Sequence, residues 1–152
     1  MTVKTRTLAF AAALTLMPAV SQAQRPLSAD DLAEIHTLYA HYNLVLDGGD
    51  SEAWADTFTE DGRFGNSEGR AALIAFADNF HSRNPNTRHW NTNIEITPTA
   101  DGAAGTCYLM LWNVGTRPQS IVLTGVYQDA LVRTPEGWRF KSRVVTSDGT
   151  AS

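Results

Sequence analysis

The sequence predicts an α+β fold in which a curved antiparallel sheet folds over three N-terminal helices. Apolar residues recur at helical spacing as far as about residue 82, and from Thr87 onward the period becomes two. Helical segments followed by a run of strands favour antiparallel pairing over alternating parallel units. Two of the four candidate strands, 103–114 and 120–133, are longer than a small flat sheet needs, and strong curvature accommodates them.

Ser28 is expected to cap the first helix, with Asp31 three residues later completing a capping box. Ile35, Tyr39, Tyr42 and Leu46 follow at spacings of four, three and four, so they form one apolar stripe, and Gly48-Gly49 ends the helix. Asp50 or Ser51 caps a short second helix, with Trp54 and Phe58 four apart on its inner face. Asp61-Gly62 reads as a turn and Arg63-Phe64 as a brief extended piece. A third helix is predicted from Arg70 to about Ser82, burying Leu73, Phe76 and Phe80 and stopped by Asn84-Pro85-Asn86. Strands follow over 88–97, 103–114, 120–133 and 138–146, separated by Asp101-Gly102, Gly115 to Pro118, and Pro135-Glu136-Gly137.

Residues 1–23 are expected to be a secretory signal peptide cleaved after Ala23. Lys4 and Arg6 precede an apolar run from Leu8 to Met17, Pro18 breaks it, and Ser21-Gln22-Ala23 offers small residues to a peptidase. That run is too short for a mature membrane span. Residues 24–152 then form a single domain, periplasmic or secreted. The formal net charge is −4 and becomes more negative without Lys4 and Arg6. This balance argues against nucleic acid or an anionic membrane as partner. Cys107 is the single cysteine, so no intramolecular disulfide is possible, and its apolar surroundings suit a small core residue.

Several motifs carry no chemistry in this context. Gly65-Asn66-Ser67-Glu68-Gly69 matches the nucleophile elbow pattern, but that elbow needs a parallel sheet this chain cannot build. The segment reads as a loop into the third helix. His36 and His41 are five apart, a poor spacing for a shared metal, and His81 lies at a helix end where it is solvated or dipole-stabilised. The pattern contains no phosphate loop and no dinucleotide fingerprint.

His89 and Asp47 carry the chemical reading. His89 begins the first long strand, and Asp47 sits where the first helix runs out. A carboxylate that orients an imidazole makes a general base. A negative charge at a helix C-terminus also needs a compensating partner. With Asn91 and Asn93 at period two, His89 faces either solvent or a polar pocket, while Trp90, Thr92, Ile94 and Ile96 share the other face. Tyr42 is either a core tyrosine or a hydrogen-bond donor to developing charge. Strict alternation from Trp138 puts Arg143 opposite Trp138 and Phe140, so Arg143 points inward only after a bulge.

In order along the chain stand Leu46-Asp47-Gly48-Gly49-Asp50, Trp54, Phe58-Thr59-Glu60-Asp61-Gly62, Arg88-His89 with Asn93, Gly125-Val126-Tyr127-Gln128-Asp129, and Gly137-Trp138-Arg139-Phe140 followed by Arg143. In this order and spacing, over about residues 28–147, the chain resembles a SnoaL-like member of the nuclear transport factor 2-like superfamily. The resemblance implies a cone-shaped antiparallel sheet, a cystatin-like α+β roll, wrapped around three helices. It is similar to the group holding bile-acid 7α-dehydratase, hexachlorocyclohexane dehydrochlorinase and scytalone dehydratase. The first two have counterparts of Asp47, His89 and Arg143, and Tyr42 falls where the bile-acid enzyme has a tyrosine. Trp112 stands near a position where that enzyme carries an acid, a departure from the steroid dehydratase pattern. By the same resemblance Phe58, Phe64, Met110, Trp112, Leu123 and Tyr127 line a pocket for a hydrophobic small molecule, and the outer sheet face can form a homodimer.

The function so implied is a cofactor-independent lyase or isomerase. His89 removes a proton from carbon, Asp47 orients it, and Tyr42 and Arg143 hold the oxygen or halide that gains charge, with no metal and no nucleotide. A non-catalytic ligand-binding member of the same fold is the alternative, and a structural assembly domain is a third reading that an export signal disfavours.

Overall fold

The computed structural model describes residues 26–149, and the expected signal peptide lies outside them. Ser28 caps helix α1 (Ala29–Gly48). Its Oγ accepts the Asp31 N–H at 3.1 Å while the Asp31 carboxylate accepts the Ser28 N–H at 3.0 Å, so two amides that the helix leaves unpaired are satisfied reciprocally. The stripe Ile35, Tyr39, Tyr42 and Leu46 is buried, and Gly49 closes the helix in the left-handed region at φ 77°.

Asp50 caps a single-turn helix α2 (Ser51–Ala55), and the chain then becomes extended. Strand β1 (Phe58–Phe64) and a two-residue β2 (Ser67–Glu68) form a hairpin before helix α3 (Arg70–Arg83). Phe58 therefore opens a strand rather than completing α2. Asp61-Gly62 lies inside β1, and the supposed loop around Ser67 holds β2. Four long strands follow: β3 (Thr87–Pro98), β4 (Ala103–Asn113), β5 (Ser120–Thr134) and β6 (Gly137–Ser147).

The order across the sheet is β2-β1-β6-β5-β4-β3. The β3 to β6 meander is antiparallel as predicted, but β1 pairs parallel to β6, so the curved six-stranded sheet is mixed, and it does not close on itself. The helices pack in its concave side around Trp54, Tyr42, Phe58, Phe64, Tyr127 and Phe140, all buried and in ring contact. Full burial of each such side chain stabilises the fold by roughly 1.5–3 kcal/mol.

Two bulges decide which side chains meet inside. In β3 the register slips between Thr92 and Glu95, where Asn93 takes a positive φ of 56°, a conformation that asparagine tolerates better than most residues. The slip turns Ile94 and Ile96 to the same inner face as His89 and Asn91, which simple alternation had put opposite. In β6 the pairing slips at Lys141, between Phe140↔Leu131 and Ser142↔Ala130. Trp138, Phe140 and Arg143 all face inward as a result.

Candidate active site

The end of α1 meets the start of β3 through two side chains. His89 Nδ1 lies 2.6 Å from Asp47 Oδ1, and the His89 backbone N–H donates to Asp47 Oδ2 at 2.9 Å. Both side chains are largely withdrawn from water, at 4% and 8% exposure. The backbone bond exists because β3 is an edge strand: the outward amide of His89 has no strand partner, and the carboxylate takes its place. Those two contacts also offset the unfavourable placement of a negative charge at a helix C-terminus.

The contact fixes a tautomer. A carboxylate accepts, so neutral His89 carries its proton on Nδ1 and presents Nε2 as a bare lone pair. Nε2 makes no hydrogen bond to any described residue. The ring rests against Phe80 of α3, with centroids 5.3 Å apart. Across the sheet His89, Leu111 and Leu123 stand in one register row on the concave face. Asp47 and His89 thus form an oriented imidazole with one free basic nitrogen on an apolar surface.

A second polar group lies deeper. Asp129 and Arg143 are direct cross-strand partners on β5 and β6, and they form a bidentate pair with Nε to Oδ1 at 2.7 Å and Nη2 to Oδ2 at 2.8 Å. Both side chains have zero exposure. The Tyr39 hydroxyl donates to Asp129 Oδ2. The guanidinium carbon sits 4.0 Å from the Phe140 ring centroid, 4.3 Å from those of Tyr42 and Tyr127, and 4.7 Å from that of Tyr39. Desolvation pulls the Arg143 pKa down, and the hydrogen bonds and charge of Asp129 more than offset it, so the group stays above its ordinary value and permanently charged. Gly105 makes room for this arrangement, since a Cβ there would lie 2.2 Å from the Tyr39 hydroxyl.

Beside that pair three buried polar atoms complete no hydrogen bond: Tyr42 Oη, Trp54 Nε1 and Arg143 Nη1. They are neighbours, with the Tyr42 and Trp54 ring centroids 5.4 Å apart and the guanidinium over the Tyr42 ring. Burial pushes the Tyr42 hydroxyl up to about 12, with Arg143 acting in the opposite direction, so it remains a neutral donor. Arg143 and the Trp54 indole both act on the Tyr42 oxygen, so the three groups form a buried cluster rich in donors, the kind of surrounding that favours an electron-rich atom.

Among the residues predicted to line a pocket, Phe58, Phe64, Leu123 and Tyr127 lie on the interior side. Met110 and Trp112 do not. Leu109 and Leu111 occupy the inward positions of β4, so the pleat turns Met110 and Trp112 to the outer face, where Trp112 packs on the half-exposed Trp90 at 5.3 Å. Arg143 is brought to the interior but is chiefly held by Asp129. Reasoning from sequence missed Asp129, Tyr39 and the indole of Trp54 as members of this polar cluster.

The profile of the SnoaL-like domain family matches residues 28–144. Among solved structures, a nuclear transport factor 2-like protein with a cystatin-like fold from Novosphingobium aromaticivorans shares 26% identity. The match covers 81% of this chain and 85% of that one, with a TM-score of 0.74. A Catenulispora acidiphila protein in complex with S-DNPA shares 29% identity over 80% of this chain and 96% of that one, with a TM-score of 0.70. A provisionally named scytalone dehydratase from Novosphingobium aromaticivorans shares 25% identity over 78% and 84%, with a TM-score of 0.67. No curated protein matches the chain significantly.

Proposed function

Because the chain belongs to the SnoaL-like domain family, which includes polyketide cyclases and dehydratases, we propose that it is an exported, cofactor-independent lyase or isomerase. Its substrate is a hydrophobic small molecule. Nε2 of His89 takes a proton from carbon, and Asp47 steadies the imidazolium that forms. The donors of Tyr42, Trp54 and Arg143 receive the oxygen or halide on which negative charge develops. Tyr42 and Asp47 are five residues apart on α1, about 7.5 Å along the axis, a separation that a ring-sized substrate spans.

The observation that carries this reading is the two-point hold of Asp47 on His89, which leaves one imidazole nitrogen basic and unpaired. A histidine held only for structure has no need of that free nitrogen on an apolar wall. Export rests on the leader pattern of residues 1–23. The tight aromatic packing around Tyr42 favours a second reading, a non-catalytic binder, and so does the bound small molecule in the similar Catenulispora structure.

The test is solvent exchange. The protein is incubated in deuterated buffer with ring-containing ketones, alcohols and halides, and each compound is analysed for deuterium at carbon or for elimination. Exchange that disappears in His89→Ala supports proton abstraction by this imidazole. Exchange that survives in His89→Ala removes His89 from the mechanism, and binding without exchange or elimination in any compound selects the binder.

A further inference from the structure

The last turn of α3 places two consecutive side chains against the two sides of the dyad. Phe80 packs its ring on the imidazole of His89, at 5.3 Å and 44°. His81 packs its own imidazole over Gly49. A Cβ added at Gly49 would lie 2.7 Å from His81 Nε2 and 2.8 and 2.9 Å from the adjacent ring carbons. Gly49 is the left-handed residue that closes α1, two positions after Asp47. The same helix end leads straight into β3: the Asn84 carbonyl accepts from the Thr87 N–H at 3.3 Å and from Thr87 Oγ1 at 2.8 Å, and His89 follows two residues later. One turn of helix therefore touches the element that carries Asp47 and anchors the element that carries His89.

We propose that His81 is a positioning residue, its ring seated on Gly49 so that the end of α1 is held against α3 and Asp47 is kept within hydrogen-bond reach of His89. This rests on reading the dyad as a proton-transfer pair, and it adds a residue that acts through the α1 backbone rather than on substrate. Two requirements then fall on Gly49 at once. The positive φ disfavours any side chain, and the space is already filled by an imidazole. The distance matters because hydrogen bonds weaken steeply once geometry is lost, and a catalytic group displaced by about 1 Å costs on the order of 10²-fold in rate.

The experiment uses the whole protein and two readouts. The first is the low-field NMR resonance of the His89 Nδ1 proton, which needs no substrate. The second is kcat and KM on a compound found by solvent exchange. His81→Ala is expected to shift or broaden that resonance and to lower kcat about 10- to 100-fold with KM little changed. His81→Phe keeps a ring on Gly49 and is expected to retain most of both signals. Gly49→Ala, which leaves His81 in place, should reproduce the loss by pushing the ring aside. Combined with His81→Ala, it should give clearly less than the sum of the two losses, because the ring contact is lost only once and only the strain of the positive φ is added. An unchanged resonance in folded His81→Ala overturns the inference, as do fully additive losses in the double variant. A resonance that shifts as expected, in a protein that turns over no compound, supports the positioning role while removing the catalytic reading of the dyad.

Discussion

Among the described carboxylates withdrawn from water and paired with a cationic or ionisable partner, Asp129 and Asp47 are built for different ends. Asp129 and Arg143 face each other across neighbouring strands in direct register, fully enclosed, with both carboxylate oxygens taken by guanidinium and tyrosine donors. Asp47 and His89 join a helix end to an edge strand, and one ring nitrogen is left over. The first pair spends most of its charge on itself and fixes the interior, leaving only Arg143 Nη1 without a completed hydrogen bond. The second keeps a titratable atom in reserve. Burial alone does not mark a chemical site; a buried group with an unused valence does.

The largest effect is expected from breaking the enclosed pair. Asp129→Ala leaves Arg143 charged, buried and opposed by nothing, a change that destabilises by about 3–5 kcal/mol. Chemical denaturation should show this as a large fall in midpoint, or the protein should fail to fold. A loss below about 1 kcal/mol would mean that water reaches Arg143 and that the two pairs are alike. Gly105→Ala attacks the same pair indirectly, since the added methyl group displaces the Tyr39 hydroxyl from Asp129. Overpacking of this kind costs about 1–3 kcal/mol, and loss of the Tyr39 contact should show in the near-ultraviolet circular dichroism of the aromatic cluster.

The dyad should behave in the opposite way. His89→Ala and Asp47→Asn are expected to cost no more than about 1–2 kcal/mol of stability, because they lie at a helix end and a sheet edge rather than in the centre. Activity should nevertheless fall by about 10²–10⁴-fold, the range that a general base supplies. If either substitution proves as destabilising as Asp129→Ala while leaving solvent exchange intact, the contrast collapses and both pairs are structural.

How much of this was legible in the sequence depends on how local each signal is. The capping box at Ser28 and Asp31 and the stripe ending at Leu46 involve residues a few positions apart, and both stand as predicted. Strand β1 was hidden because its pairing with β6 spans most of the chain and its middle, Thr59 to Gly62, is polar. The phase of β4 could not be read at all: Cys107 to Trp112 is apolar at every position, so nothing distinguishes Leu109 and Leu111 from Met110 and Trp112. Alternation also fails at a bulge, and the slips at Asn93 and Lys141 are set by neighbouring strands. The inward turn of Arg143 was foreseen only as a condition. Its pairing with Asp129 was missed because the meeting of two charges needs a register that no single strand contains. By contrast, Asp47 and His89 were singled out by a helix end that lacked a compensating charge, a histidine at a strand start and the resemblance to the SnoaL-like family, none of which needs the register of the sheet.

The smallest change in stability, and the sharpest test of the difference between the pairs, concerns Tyr42. Its hydroxyl is buried without a completed hydrogen bond, so Tyr42→Phe removes an unsatisfied group along with little volume and should leave stability at neutral pH within about 1 kcal/mol of the parent. Turnover should fall by about 10²–10³-fold if this hydroxyl meets developing charge. The pH dependence adds an independent check. Burial raises the Tyr42 hydroxyl to about 12, from about 10 in an unfolded chain. A group whose pKa is raised by folding contributes stability that is complete below its unfolded value and is lost as pH climbs through its folded value. The folded protein therefore holds a proton that the unfolded chain gives up, and stability declines from about pH 10 to about 12. Denaturation curves collected across that window should fall less steeply for Tyr42→Phe than for the parent, with the remaining slope owed to Tyr39, Tyr127 and the Cys107 thiol, which burial also raises. Identical slopes in the two proteins would place the Tyr42 hydroxyl in contact with water and take it out of the donor cluster.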